Sequence, residues 1–281
     1  MALIEFVQAS LTRPGAASSA LHALNFSMAS GEILAVLGGC GSGKTTLACW
    51  MAGWIPHSMP ATVEGKACLD GVPLAGRFAA HMAEQVQLVQ ARPYAGLTGC
   101  AFSVAGEVAF GPENLGWPEA LIRQRVAAAL ELCEATGLAS RHPATLSGGE
   151  AQRVAIAAAI VMQPRLLLLD EAFSRLAPAA AHRLLDRLAA LAHQGVSLVL
   201  FDKQFDFVAR VASRVLLLHQ GHQQALGTPA AVFDEALEQV RASDALLAAH
   251  RARWAGLWGL GVLPPLAAHE APARFRDVLN G

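Results

Sequence analysis

The sequence predicts an α/β fold in which a mostly parallel sheet is covered by helices on both faces. Short, continuous apolar runs are typical of buried strands, and they alternate with segments whose apolar residues recur at helical spacing. This alternation favours parallel strands, because two strands joined by a helix run in the same direction. With 281 residues, 54% of them hydrophobic, the chain is long enough for one domain with an appended tail.

The predicted elements follow one another along the chain. Residues 33–37 form an apolar run that ends in glycines, and the helical composition of residues 43–54 follows directly. Residues 61–74 carry the turn residues Asp70-Gly71 between short apolar stretches, which indicates a hairpin. The later elements are a helix over 118–138 with Gly137 near its stop, a strand over 166–169, a helix over 178–193 and a strand over 196–201.

A phosphate-binding loop is predicted between the first of these strands and its helix. The segment consists of Gly38, Gly39, Cys40, Gly41, Ser42, Gly43, Lys44 and Thr45, which is the pattern G-x-x-x-x-G-K-[ST]. Its glycines let consecutive N–H groups turn towards phosphate oxygens, and the helix N-terminus adds positive potential. Lys44 is expected to reach the β- and γ-phosphates of ATP, and the Thr45 hydroxyl to bind Mg²⁺.

Two acidic residues follow the strand predicted at 166–169. Asp170 and Glu171 would stand at the carboxyl edge of a buried strand, where open α/β sheets bind ligands. Asp170 suits the Mg²⁺ shell, and Glu171 suits the orientation or deprotonation of an attacking water. A strand that simply ends in solvated acids is the alternative, and the phosphate loop upstream makes it less favourable.

A third pattern lies between those two, at Leu146-Ser147-Gly148-Gly149-Glu150. Ser147 and Glu150 have capping-box spacing, so a helix is predicted to begin at Ser147. An ordinary capped helix explains the serine and the glutamate. It explains the paired glycines Gly148 and Gly149 less well, and these leave backbone N–H groups open to an anion.

The three motifs, in this order and spacing, resemble those of ATP-binding-cassette (ABC) ATPases over roughly residues 3–233. The resemblance implies a RecA-like phosphate-loop core, an antiparallel β-subdomain and an inserted α-helical subdomain over about 91–153, with a C-terminal extension over 234–281. It implies that ATP and Mg²⁺ bind at the phosphate loop, with Thr46 beside it, and that two chains enclose two ATP molecules. Ser147, Gly148 and Gly149 would then contact the γ-phosphate held by the opposite chain.

Two further segments are similar to the ATPases of energy-coupling-factor (ECF) transporters, which import vitamins and transition-metal ions. They are GWIPH at 53–57 and VAFGPENLG at 108–116, and LWGLGVLPP at 257–265 is similar to a late stretch of those proteins. This resemblance implies a transmembrane coupling protein, a substrate-binding membrane subunit and a place on the cytoplasmic face of the membrane. Glu107 is then expected either to pair with a basic residue of the membrane partner or to be a solvated surface acid.

Four positions depart from the family pattern. Lys203 stands where a histidine usually contacts the γ-phosphate, and Ala177 stands where an aspartate is usual. Gln90 lies one residue before the position of the usual glutamine, and Arg13 replaces the aromatic residue that stacks on adenine. Arginine can still lie flat on a purine.

With the phosphate loop, Asp170 and Glu171 intact, these departures predict a site that binds ATP well and hydrolyses it slowly. An asymmetric heterodimer, with a more competent partner ATPase, fits this prediction. The alternative is a homodimer in which Lys203 replaces histidine by supplying positive charge, although lysine cannot exchange a proton near pH 7 as histidine does.

Other functional classes are less compatible with the sequence. A net charge of −1 gives no excess of positive charge for binding nucleic acid. A non-transport ABC ATPase of translation or DNA repair would usually carry two cassettes or long charged inserts. A phosphate-loop kinase or small GTPase would not need LSGGE followed by Gln-Arg. The longest apolar stretch, residues 254–268, is too short and too interrupted to span a membrane.

Overall fold

The computed structural model describes residues 2–232, and the predicted α/β fold is confirmed. The strands are β1 (Ala2–Thr12), β2 (Leu21–Ala29), β3 (Ile33–Leu37), β4 (Thr62–Leu69), β5 (Val72–Pro73), β6 (Val86–Val89), β7 (Leu166–Asp170), β8 (Ser197–Asp202), β9 (Arg214–His219) and β10 (His222–Gly227). The helices are α1 (Lys44–Met51), α2 (Ala79–Met82), α3 (Val104–Asn114), α4 (Glu119–Leu132), α5 (Gly148–Ile160), α6 (Pro178–Ala192), α7 (Phe205–Val208) and α8 (Pro229–Ala231).

The ten strands form one mixed sheet in the order β5-β4-β1-β2-β10-β9-β3-β8-β7-β6. Strands β9, β3, β8, β7 and β6 are mutually parallel, as the alternation of strands and helices predicts. Strands β1, β2, β4 and β5 pair antiparallel, which agrees with the β-subdomain implied by the resemblance. The two parts meet through one parallel residue pair, His22 with His222, whose rings stack 4.1 Å apart.

The parallel strands separate two hydrophobic clusters. In β7, Leu167 and Leu169 pack with the helices α3 to α6, whereas Leu166 and Leu168 pack on the other face with α1 and the strands β1 and β2. Because side chains alternate along a strand, a continuous apolar run supplies both clusters at once. This explains why β3, β7 and β8 contain almost no polar residues until their carboxyl ends.

The hairpin predicted over 61–74 is confirmed between β4 and β5. Asp70 and Gly71 connect the strands with φ values of 51° and 73°. Both residues are in the left-handed region, as a two-residue hairpin turn of this kind requires. Strand β4 then pairs with β1, so the hairpin extends the sheet at the antiparallel side.

The helix predicted over 118–138 ends earlier than expected. Helix α4 ends at Leu132, and Glu134 rather than Gly137 takes the left-handed conformation, with a φ of 53°. The Glu134 carboxylate is held by Arg183 at 3.0 Å and by Arg187 at 3.4 Å, both on α6. These contacts between distant segments oppose the cost of a positive φ at a residue with a side chain.

One of the two expectations for Glu107, that of a solvated surface acid, is wrong. Glu107 lies in the first turn of α3 and is 2% exposed. Its carboxylate accepts hydrogen bonds from the backbone N–H and the hydroxyl of Thr98, the latter at 3.0 Å. The residue is therefore not a solvated acid, and its pairing with a basic residue of a membrane partner stays a prediction.

Helices α3 and α4 and the start of α5 lie between β6 and β7 in sequence, where the resemblance places an inserted helical subdomain. The bounds of that subdomain stay a prediction. The extension expected over 234–281, including the apolar stretch 254–268 and the segment 257–265, lies outside the described residues. Within residues 2–232, none of the helices combines the length and apolar character needed to cross a bilayer.

The N-terminus of α6 has no side-chain cap, so a capping residue introduced there should stabilise the fold. Ala177 is the N-cap residue, with extended dihedral angles, and Pro178 follows it at the first helical position. Replacing Ala177 with Ser should stabilise the fold by about 0.5–2 kcal/mol, because the hydroxyl can accept an unpaired N–H of the first turn. The midpoint of urea unfolding measures the change. Ala179→Ser, two residues further along and inside the helix, is the control and should give no gain.

Candidate nucleotide site

The phosphate loop connects β3 to α1 and has the conformation its glycines make possible. Gly41 and Gly43 have φ values of 77° and 103°. A Cβ on Gly43 would lie 2.7 Å from the Leu21 side chain, and one on Gly38 would lie 2.3 Å from the Leu218 carbonyl oxygen. Glycine is therefore required at these positions both by backbone conformation and by the close approach of β2 and β9.

Lys44 is buried against the loop that precedes it. Its ammonium group donates hydrogen bonds to the carbonyl oxygens of Gly38 at 2.7 Å and Gly39 at 2.8 Å. The side chain is thus folded back over the loop, with its charge at the N-terminus of α1. The Ser42 hydroxyl nearby is buried and makes no hydrogen bond to the described residues.

The acidic end of β7 meets the start of α1. The Thr45 hydroxyl donates to Asp170 Oδ2 at 2.7 Å. Asp170 is 5% exposed, and its other oxygen, Oδ1, has no hydrogen-bond partner within residues 2–232. Burial raises the pKa of Asp170, because leaving water disfavours the carboxylate, while the Thr45 hydrogen bond and the charge of Lys44 partly oppose this rise.

This arrangement fits a magnesium ion bound together with nucleotide phosphates. A hydroxyl and a carboxylate with a free buried oxygen are oxygen ligands of the kind Mg²⁺ prefers, and the ion usually takes only one or two of these from the protein. A cation here would also offset the buried negative charge. Asp170 and Thr45 are the residues that would hold it, as the sequence predicts.

A third carboxylate, Asp202, joins this edge of the sheet at the end of β8. It is 9% exposed and accepts hydrogen bonds from the backbone N–H groups of Lys203 at 2.7 Å and Gln204 at 2.9 Å. Burial raises the pKa of Asp202, and these two hydrogen bonds oppose the rise. Sequence reasoning missed Asp202, although an acid ending a strand parallel to β7 is a recognisable signal.

Glu171 and Lys203 face one another across the same edge. Glu171 has a φ of 47°, and its N–H donates to the Phe201 carbonyl oxygen at 2.9 Å. The Lys203 ammonium lies 3.8 Å from Glu171 Oε2, and both side chains are about one-third exposed. The structure therefore brings both predicted catalytic residues together with Asp170, but it pairs them with each other.

Arg13 lies near the phosphate loop, at the turn that follows β1. Its guanidinium donates to the Thr46 hydroxyl at 3.1 Å, and the side chain is exposed. This contact places Arg13 beside Thr46 in the first turn of α1. These two predicted nucleotide-binding residues therefore lie next to the phosphate loop. Stacking of Arg13 on adenine stays a prediction.

The helix predicted at Ser147 has the expected capping box. The Ser147 hydroxyl accepts the N–H of Glu150 at 3.3 Å, and Glu150 accepts the N–H of Ser147 at 2.7 Å. Arg141 pairs with the other oxygen of Glu150 at 2.7 Å. No hydrogen bond among the described residues joins Ser147–Gly149 to the phosphate loop of this chain.

The paired glycines of this segment pack against the loop that follows β7. A Cβ on Gly149 would lie 3.1 Å from the Arg175 carbonyl oxygen, and one on Gly148 would lie 3.5 Å from the Arg175 side chain. The glycines therefore allow a close approach within the chain, a reason the sequence alone did not supply. Arg175 carries no signal that sequence reasoning could use.

Gln90 follows β6 and is half buried. Its carbonyl oxygen accepts a hydrogen bond from the side chain of Gln152 at 3.2 Å, and the next carbonyl, of Ala91, accepts one from Arg175 Nε at 3.2 Å. The backbone of this turn is thus held from two sides. Contact of the Gln90 side chain with a bound nucleotide stays a prediction.

The fold and this site define a phosphate-loop nucleotide-binding protein. Residues 21–174 match the family model described as ABC transporter. The energy-coupling factor transporter ATP-binding protein EcfA2 of Symbiobacterium thermophilum is 34% identical over 271 residues, which cover 93% of this chain and 90% of that protein. A Methanosarcina acetivorans protein described as an ABC transporter ATP-binding protein is 34% identical over 254 residues; the match covers 90% of this chain but 37% of that longer protein.

A solved structure has the same fold. The cbiO1 protein of Clostridium perfringens, described as part of the ABC transporter complex cbiONQ, superposes with a TM-score of 0.74 at 26% identity, covering 92% of this chain and 99% of that one. The chain therefore belongs to the ABC transporter ATPase family, and the alternative of a phosphate-loop kinase or small GTPase is wrong.

Cys40 provides a direct test of nucleotide binding at the loop. Of the five cysteines, Cys40 and Cys100 are exposed and the others are buried. Burial raises the pKa of Cys49 to about 11, which suppresses its reactive thiolate. MgATP should slow alkylation of Cys40, which lies in the phosphate loop, and leave Cys100 unchanged as the internal control. Mass spectrometry measures both rates, and equal protection of the two thiols would contradict the assignment.

Replacing Lys44 with Ala should abolish that protection. The variant loses the ammonium that would neutralise phosphate charge at the helix N-terminus, so MgATP affinity should fall at least about tenfold, or about 1.4 kcal/mol. Titration calorimetry measures the affinity, and circular dichroism verifies the fold. Unchanged affinity in a folded variant would show that the phosphates bind elsewhere.

Proposed function

We propose that this chain is the ATP-binding and ATP-hydrolysing subunit that energises import of a small molecule, a vitamin or a transition-metal ion, through a membrane partner. A transmembrane coupling protein, a substrate-binding membrane subunit and a second ATPase subunit would complete the assembly at the cytoplasmic face of the membrane. The matches to an ECF ATP-binding protein over nine-tenths of both chains and to a component of a transporter complex support this proposal.

The observation that carries the ATPase part is the contact between the phosphate loop and the acidic end of β7. The Thr45 hydroxyl donates to Asp170 Oδ2 at 2.7 Å, and the charge of Lys44 acts on the same carboxylate. Lys44 and the loop N–H groups would bind the phosphates, and Thr45 and Asp170 would hold Mg²⁺, which supplies charge neutralisation when bound. Glu171, the next residue, would accept the proton of the attacking water or orient it.

The pairing of Lys203 with Glu171 supports slow hydrolysis at this site. An ammonium 3.8 Å from Oε2 competes with water for the carboxylate that would act as base. A partly exposed pair of this kind contributes about 0.2–1 kcal/mol. A γ-phosphate, with its larger negative charge, would draw Lys203 away. The pair would thus reduce the rate without abolishing it.

We infer that the working assembly is an asymmetric dimer whose second subunit carries the more competent site. Lys203, Ala177 and the shifted Gln90 all affect the site formed on this chain's own phosphate loop. Ser147, Gly148 and Gly149 keep the helix start intact and would complete the partner's site. A homodimer in which Lys203 serves in place of histidine is the alternative, and the turnover of the isolated chain distinguishes the two.

Replacing Glu171 with Gln should keep MgATP affinity and slow turnover at this site by about 10²–10⁴-fold, the range for loss of a general base. The variant should also accumulate an ATP-bound dimer, detectable by light scattering, because hydrolysis no longer separates the chains. Turnover is measured in an assembly whose partner site is disabled. Glu64→Gln, at an exposed position of β4, is the matched control; an unchanged rate in Glu171→Gln would remove Glu171 from the catalytic residues.

Replacing Lys203 with His should raise the low turnover of the isolated chain by about tenfold, equivalent to about 1.4 kcal/mol of barrier. The change removes the ammonium from Glu171 and restores a group that can exchange a proton. Lys203→Met separates these effects: a rise in both variants means that the ion pair inhibits, and a rise in His alone means that the imidazole acts. Wild-type turnover of about 1–10 s⁻¹, ordinary for enzymes, with no gain from His, would contradict the asymmetric dimer.

A further inference from the structure

Two side chains from separate segments hold consecutive carbonyl groups of the turn after β6. Gln152, fully buried on α5, donates Nε2 to the Gln90 carbonyl oxygen at 3.2 Å. Arg175, exposed in the loop between β7 and α6, donates Nε to the Ala91 carbonyl oxygen at 3.2 Å. The turn is therefore bonded both to α5 and to the loop that follows Glu171.

Arg175 also lies close to the glycines at the start of α5. Its carbonyl oxygen lies 3.1 Å from the Cβ position of Gly149, and its side chain lies 3.5 Å from that of Gly148. None of the ion pairs formed within residues 2–232 involves Arg175. Its guanidinium donates to the Ala91 carbonyl oxygen, so one residue lies between the turn after β6, the start of α5 and the loop after β7.

We propose that Arg175 is a positioning residue, which holds the Gln90–Ala91 turn against the start of α5 and thereby sets where the Gln90 side chain stands at the nucleotide site. This inference rests on the ATPase function proposed above. The backbone that carries this early glutamine is anchored by contacts that an alignment does not reveal, and these contacts let Gln90 support the slow hydrolysis proposed for this site. A displacement of about 1 Å at such a group can cost up to about 10²-fold in rate.

The test is a double-mutant cycle between Arg175→Ala and Gln90→Ala, measured as ATP turnover of the full chain in an assembly whose partner site is disabled. Arg175→Ala should lower kcat about tenfold and change the equilibrium Kd for MgATP less than about twofold, because the phosphate loop is untouched. In the Gln90→Ala background the same change should have an effect below about twofold, since coupled residues are not additive. Equal effects in both backgrounds, or no effect of Gln90→Ala, would overturn the proposal.

Two control variants separate positioning from a general loss of charge. Arg175→Lys keeps the positive charge but moves its donor away from the fixed Nε–H position, so it should restore at most part of the rate. Arg183→Ala removes a surface arginine of α6 that pairs with Glu134, which follows α4. This variant should leave kcat unchanged. Full activity of Arg175→Lys would show that a donor fixed at the Nε position is not needed and would overturn the role of that hydrogen bond.

Hydrogen exchange of the nucleotide-free chain tests the tether without any enzymatic activity. The amides of Ala95 and Gly96 are bonded within the turn that follows Ala91. Arg175→Ala should speed exchange in residues 90–96 and 147–151 several-fold and leave β3 unchanged. Unchanged exchange in both segments would overturn the proposal. Faster exchange in a chain that neither binds nor hydrolyses ATP would preserve the tether and reject the proposed function instead.

Discussion

A buried carboxylate at the end of β7 constrains the rest of the nucleotide site. Asp170 is buried. One of its carboxylate oxygens accepts a hydrogen bond from Thr45, and the other has no partner in the described part of the chain. Charge in such a place is costly unless positive groups or donors surround it. The order β3-β8-β7 and the helix after β3 bring Lys44, Thr45 and Asp170 to one edge of the sheet, so the topology meets that requirement.

The same constraint explains the charges around Asp170. Asp202 lies at the end of the adjacent strand, and its carboxylate accepts hydrogen bonds from two backbone N–H groups. Glu171 lies nearer to water and pairs with Lys203. Three carboxylates in one region repel each other, and two lysines reduce that repulsion. A nucleotide with its magnesium ion would redistribute these ion pairs. A change at Lys203 would then alter the balance of charge between Glu171 and the bound phosphates.

The loops around this edge depend on contacts between segments far apart in sequence. Arg175 donates to the Ala91 carbonyl oxygen, 84 positions earlier, and Gln152 donates to the Gln90 carbonyl oxygen, 62 positions earlier. The paired glycines serve the helix start and also allow the approach of the Arg175 backbone. Such contacts leave no periodicity or spacing in the sequence, because a single hydrogen bond to a backbone carbonyl places no demand on the residue type that receives it.

The sequence by itself determined the features set by local chemistry. Strands β3, β7 and β8, the phosphate loop, the Asp70-Gly71 turn and the Ser147–Glu150 capping box are each specified within a few residues by apolar runs, glycine conformation or capping geometry. The tertiary structure alone decided the burial of Glu107, the end of α4 at Leu132 and the anchoring of Gln90 by Gln152 and Arg175. These depend on which distant segments meet, and that is fixed by packing of the two hydrophobic clusters rather than by any local preference.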